Sequence, residues 1–123
     1  MGYDCNEERA KAILERFGFN FNPEYRNEIR QLLQDEYDCY KKDKHYRERD
    51  SSEYLRVLCG YLFCIGNPED LELIEKVKYG ISMDVGSMVD GAWVDSLSGL
   101  SDTNEREELI NEFISYYKHY FSL

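Results

Sequence analysis

The chain has 123 residues, 42% of them hydrophobic, and four cysteines, which supports one compact domain with one core and no second. A core of that size stands without disulfide staples, so Cys5, Cys39, Cys59 and Cys64 read as reduced, buried thiols. Fifteen Lys and Arg against 25 Asp and Glu give a formal charge of −10, which disfavours nucleic acid or an anionic bilayer as partner and favours a basic protein.

The N-terminal residues, Met1 to Glu15, mix charged and small side chains without an apolar signal core, so a cytoplasmic protein is expected. Ala10, Ile13, Leu14 and Phe17 recur at i, i+3, i+4 and i+7 before Gly18, the pattern of a first amphipathic helix with a glycine stop. Pro23 opens a second helix whose apolar stripe is Tyr25, Ile29, Leu32, Leu33 and Tyr37, reaching toward Tyr40. From Lys41 to Asp50 only Tyr46 is an apolar anchor, and that segment reads as an exposed helical extension or a loop.

Ser51 or Ser52 can cap the next helix, Glu53 to Ile65, which is so apolar that almost every face must be covered. It is the expected central helix, and it is well short of the roughly 20 apolar residues of a membrane span. Gly66-Asn67-Pro68 makes a turn into another helix, with Asn67 as cap and Pro68 at the first helical position. There Leu71, Ile74 and Val77 face inward, while Glu69, Asp70, Glu72 and Glu75 are expected mostly outside. Tyr79-Gly80 ends it. Asp84 can cap a further helix with Val85, Met88, Val89, Ala92 and Trp93 as its inner stripe, in which Gly86 and Gly91 signal close helix contact or an irregular segment. After Ser98-Gly99 a last helix runs from Asn104 to Phe121, with Leu109, Ile110, Phe113, Ile114, Tyr117 and Phe121 on one broad face. The expected fold is all-α: a small helical bundle or short HEAT-like stack of about five to six helices.

Catalytic and metal-binding patterns are weak. The cysteines and His45 and His119 form no CxxC, HExxH or other compact ligand pair, and Cys59 and Cys64, five apart on a helix, point roughly 140° away from each other. Asp84 and Asp95 on one helix would stand about 16 Å apart along its axis, too far for a carboxylate dyad. DVGSMVDG has neither the P-loop lysine nor the dinucleotide fingerprint. The basic run from Lys41 to Arg49 is interrupted by Asp43 and Glu48 and reads as a solvated face. No catalytic, cofactor-binding or metal-binding residues are assigned, and no enzyme activity is expected.

Two features point to protein binding. Residues 66–123 carry four basic and twelve acidic side chains, net −8, against net −2 for residues 1–65. The chain also has 11 tyrosines, a residue favoured at protein interfaces, although Tyr25, Tyr37, Tyr54, Tyr61 and Tyr117 equally suit a small core. The candidate partner-binding residues are therefore Glu72, Glu75, Asp84, Asp90, Asp95 and Tyr79.

From Leu55 to Leu97 the chain resembles bacterial HEAT-like helical proteins in which a GxPEDLxLI hairpin is followed by a lysine and two aspartates. Gly66, Pro68, Glu69, Asp70, Leu71, Lys78, Asp84 and Asp90 carry that match. Such proteins resemble immunity partners encoded beside secreted bacterial toxins. The resemblance implies a toxin domain as partner, here a basic nuclease whose cationic cleft needs an acidic plug, and it implies no catalytic residues. The competing expectation is a helical adaptor or regulatory module, including an acidic inhibitor that imitates nucleic acid.

Overall fold

A computed structural model describes residues 5–42, 52–81, 83–100 and 102–123, with the side chains of Cys5, Met83 and Asp84 left aside. The described residues form seven α-helices and no strand: α1 (Cys5–Phe17), α2 (Arg26–Lys42), α3 (Ser52–Ile65), α4 (Leu71–Gly80), α5 (Met83–Met88), α6 (Gly91–Leu97) and α7 (Thr103–Tyr120). No helix among them is long and apolar enough to cross a membrane.

Helix α3 is the axis of the bundle. From Ser52 to Cys64 every side chain except Arg56 is buried, because α1, α2, α5 and α6 all pack on it. The fourteen-residue helix is apolar on all sides because neighbours cover all sides. Helix α4 packs on α2, α5 and α6, and α6 carries α7. Phe63 stacks on Trp93 at 5.9 Å, and Trp93 meets Phe113 edge-on at 5.9 Å, so one aromatic chain joins α3, α6 and α7.

The glycine and proline signals act as the sequence indicates. Gly18 has φ +69° and its N–H donates to Leu14 O at 2.8 Å, closing α1. Asn22 and Asn67 each accept from the backbone N–H two residues on, at 2.9 Å, with Pro23 and Pro68 starting the short 3-10 turns that lead into α2 and α4.

Four expectations need correction. The segment around Gly86 is two short helices, because Asp90 is extended (φ −68°, ψ 126°) and its Oδ1 accepts from Ala92 N at 2.8 Å as the cap of α6. Asp84 is already the second residue of α5, which starts at Met83, so its backbone is not at the cap position. Asp70 is fully buried, because Arg26 and Arg30 of α2 reach it. Of the thiols, Cys59 and Cys64 are buried but Cys39 is exposed. The segment from Asp43 to Ser51, with His45 and Tyr46, lies outside the described residues.

Candidate protein-binding face

The C-terminal half of the bundle carries a groove of about 300 Å³ between α6 and α7, lined by Ala92, Asp95, Leu100, Glu105, Glu108, Leu109 and Glu112. Its construction starts with the spacing of α7. Phe113, Tyr117 and Phe121 recur every four residues and are buried against the bundle. Glu105, Glu108, Leu109 and Glu112 recur at i, i+3, i+4 and i+7 on another side, and the three glutamates among them are exposed. Asp102 fixes where α7 begins, its Oδ1 accepting from Glu105 N at 2.8 Å.

The opposite wall is the end of α6. Gly99 has φ +85°, and the N–H groups of Gly99 and Leu100 donate to Ser96 O at 3.1 Å and Asp95 O at 2.9 Å. That is the paired hydrogen bonding of a Schellman stop. In such a stop the residue in the position of Leu100 usually packs on the one in the position of Asp95. Here that position is a carboxylate, and Leu100 stands 76% exposed.

The groove therefore combines a fixed, exposed leucine with four carboxylates, Asp95, Glu105, Glu108 and Glu112, and no basic residue lines it. Arg106, the nearest basic residue along α7, turns the other way and donates to Cys64 O at 3.1 Å. A cationic segment with one apolar side chain is the chemical complement of this surface.

The candidates named from sequence are spread over several elements. Asp95 is exposed and lines the groove. Glu72, Glu75 and Tyr79 recur at i, i+3 and i+7 on α4, with Glu72 exposed, Glu75 half-buried and Tyr79 72% exposed. Asp90 caps α6 and lines a different cavity, beside Lys78. The side chain of Asp84 lies outside what is described. Glu105, Glu108, Glu112 and Leu100 were not singled out in the sequence. Glutamates at the outer positions of the α7 stripe were the signal for the first three; Leu100 becomes visible only through the turn that holds it.

The described tyrosines divide into covered and exposed ones, Tyr79 among the latter. Tyr40, Tyr54, Tyr61 and Tyr117 are buried, Tyr25 and Tyr37 half-buried. Tyr116 and Tyr120 are exposed and stacked at 5.6 Å on α7, with the Tyr120 hydroxyl donating to Glu7 Oε1 at 2.8 Å. Among the described residues no His, Cys, Asp and Glu side chains gather in a group that could hold a metal ion. Burial pushes the Cys59 and Cys64 thiols up, away from the reactive thiolate form.

No family model, curated protein or solved structure matches this chain.

Proposed function

We propose that the chain is a non-enzymatic binding domain that neutralises a basic protein, and that this partner is a cationic toxin domain, a nuclease, for which the chain is the immunity protein. The observation that carries the reading is Leu100, exposed on a rigid helix stop among four carboxylates. The carboxylates steer a cationic partner and speed encounter; the leucine supplies the desolvated centre that slows its departure. The resemblance of Leu55–Leu97 to immunity-type helical proteins supplies the toxin, and the acidic groove supplies the demand that it be basic.

The test is capture of partners from the native host with the full chain as bait, alongside Leu100→Glu. A basic protein should be retained by the wild type and lost by the variant, and co-expression should relieve that protein's toxicity in growing cells. Capture of an acidic or neutral partner, or capture indifferent to Leu100→Glu, overturns the reading. Displacement of DNA from a DNA-binding partner without relief of toxicity would favour the nucleic-acid mimic instead.

A further inference from the structure

The groove between α6 and α7 has helices for both walls, and that restricts what fills it. Ala92 and Asp95 stand three apart on α6, and Glu105, Glu108, Leu109 and Glu112 follow the helical repeat of α7. Past Glu108 and Glu112 the surface dips again, into a hollow of about 290 Å³ that these two share with Asn111 and Ser115. The two glutamates, four residues apart, are therefore a ridge with Leu109 on one side and Asn111 and Ser115 on the other. Such relief fits the side-chain rows of another helix.

A protein segment is recognised in few ways. Strand addition needs a free sheet edge, and the described residues contain no strand. A polyproline segment needs an aromatic slot, and no described aromatic residue lines the groove or the hollow. A phosphorylated or acidic segment needs arginines, where this groove has four carboxylates. A second copy of the chain, with its net charge of −10, meets the same repulsion.

An amphipathic helix remains, and the charge decides its kind. Glu105, Glu108 and Glu112 succeed one another about one helical turn apart, so lysines or arginines recurring once per turn on a helix lying along α7 meet each of them. Between those contacts the apolar stripe of the incoming helix covers Leu109, half-buried, and Leu100, exposed.

We infer that the segment the partner inserts here is a basic amphipathic helix, lying along α7 with its apolar stripe on Leu100 and Leu109. From Glu105 to Ser115 the surface is about 15 Å long, so about three turns of helix cover it. The inference rests on the reading of the groove as the site for a basic protein, and adds the shape of what enters it.

The test titrates the full chain with three synthetic peptides of lysine, alanine and leucine, about 18 residues long so that a helix can form. In the first, leucines recur at helical spacing on one face. The second has the same residues reordered so that no face carries a stripe, and the third is the first with one central alanine changed to proline. Backbone amide shifts of residues 92–100 and 105–115 report on the groove. The first peptide should give saturable shifts there with a dissociation constant on the order of 100 μM. Both others, of equal charge, should bind about tenfold or more weakly. Leu100→Ala should weaken the first peptide about fivefold, and Glu108→Gln with Glu112→Gln should weaken all three. Equal binding of the three peptides, or no saturable shifts of the groove with the first, would overturn the helix. The reading beneath it is decided separately: a basic partner captured by the wild type and lost in Leu100→Glu would keep the groove as the site and leave only the helical form of its occupant refuted.

Discussion

The carboxylate of Asp70 is gripped by Arg26 from 44 residues away: Arg26 Nε donates to Oδ1 at 3.1 Å and to Oδ2 at 2.9 Å, and Nη2 donates to Oδ1 at 2.9 Å. Arg30, one turn along α2, donates to Oδ1 as well. The hydrogen bond to Asp70 is the first cause of the raised Arg26 pKa. Asp70 is the last residue of the 3-10 turn before α4, so the pair staples the start of α4 to α2. Asp70→Asn should destabilise the fold by about 2–3 kcal/mol, below the full cost of a broken buried pair because both arginines keep access to water. Urea unfolding checks it, and Arg26→Gln with Asp70→Asn should cost less than the sum of the two single changes.

That pair also marks the limit of reading this chain by periodicity. The turn Gly66-Asn67-Pro68, the stops at Gly18 and Gly99 and the covered helix α3 were legible because backbone chemistry at those residues is local. Asp70 read as a solvated carboxylate near a helix start because its partners lie on another helix, and no spacing rule reports a contact across 44 residues. The same holds for the site. Asp95 was legible as acidic surface, but the groove depends on how α6 ends against α7, and Leu100 looks like an ordinary loop residue until its backbone is seen tied to Asp95 and its side chain left exposed.

Gly60 shows a packing constraint that sequence alone does not disclose. A Cβ there would stand 2.3 and 2.7 Å from two ring carbons of Phe113 and 2.9 Å from Trp93 Cη2. Both rings are buried and locked in the α3–α6–α7 aromatic chain. Alanine gains about 1 kcal/mol of helix propensity, but overpacking of this kind costs about 1–3 kcal/mol. Gly60→Ala should therefore lower stability, and Trp93→Ala, which empties the same region, should lower it by about 3–5 kcal/mol. Gly91→Ala is the control, because a Cβ there meets nothing within 4 Å; it should stabilise by about 0.4–1 kcal/mol. Denaturant midpoints for the three variants give the ranking directly.

Stability should fall in alkali, in a window set by buried acids that the fold keeps protonated. Burial raises the Cys59 and Cys64 thiols above 9.0 and pushes the Tyr61 hydroxyl from 10.0 up to about 12. Burial raises Tyr117 too, with Glu53 adding to the shift and Arg56 opposing it. For each group the folded state holds its proton where the unfolded chain has released it, so stability declines as pH rises. The thiol contribution is complete below 9.0 and wanes above it; that of Tyr61 is complete below 10.0 and is lost by about 12. Thermal unfolding should show a plateau near neutrality and a falling melting temperature above pH 9, steeper above pH 10. In the native state at neutral pH a thiol reagent should modify Cys39 and spare Cys59 and Cys64 until the chain unfolds.

The glutamates of the groove should prove to be a stability cost. Glu108 and Glu112 are four apart on α7 and both exposed, and like charges at that spacing destabilise a helix by about 0.2–0.5 kcal/mol. Glu105 differs, since it sits in the first turn where a negative charge is favourable. Glu108→Gln and Glu112→Gln should each raise stability slightly at low ionic strength, with most of the gain gone at about 1 M salt, where the screening length is near 3 Å. The same two changes should slow association with a basic partner and flatten its salt dependence, because charges at the edge of an interface act on encounter. Leu100→Ala should instead leave association nearly unchanged and speed dissociation, because the leucine contributes only once it is covered. Stopped-flow association and dissociation rates at two salt concentrations separate these effects. An association rate indifferent to Glu108→Gln and Glu112→Gln together, beside a Leu100→Ala variant that dissociates no faster, would mean that the partner does not use this groove.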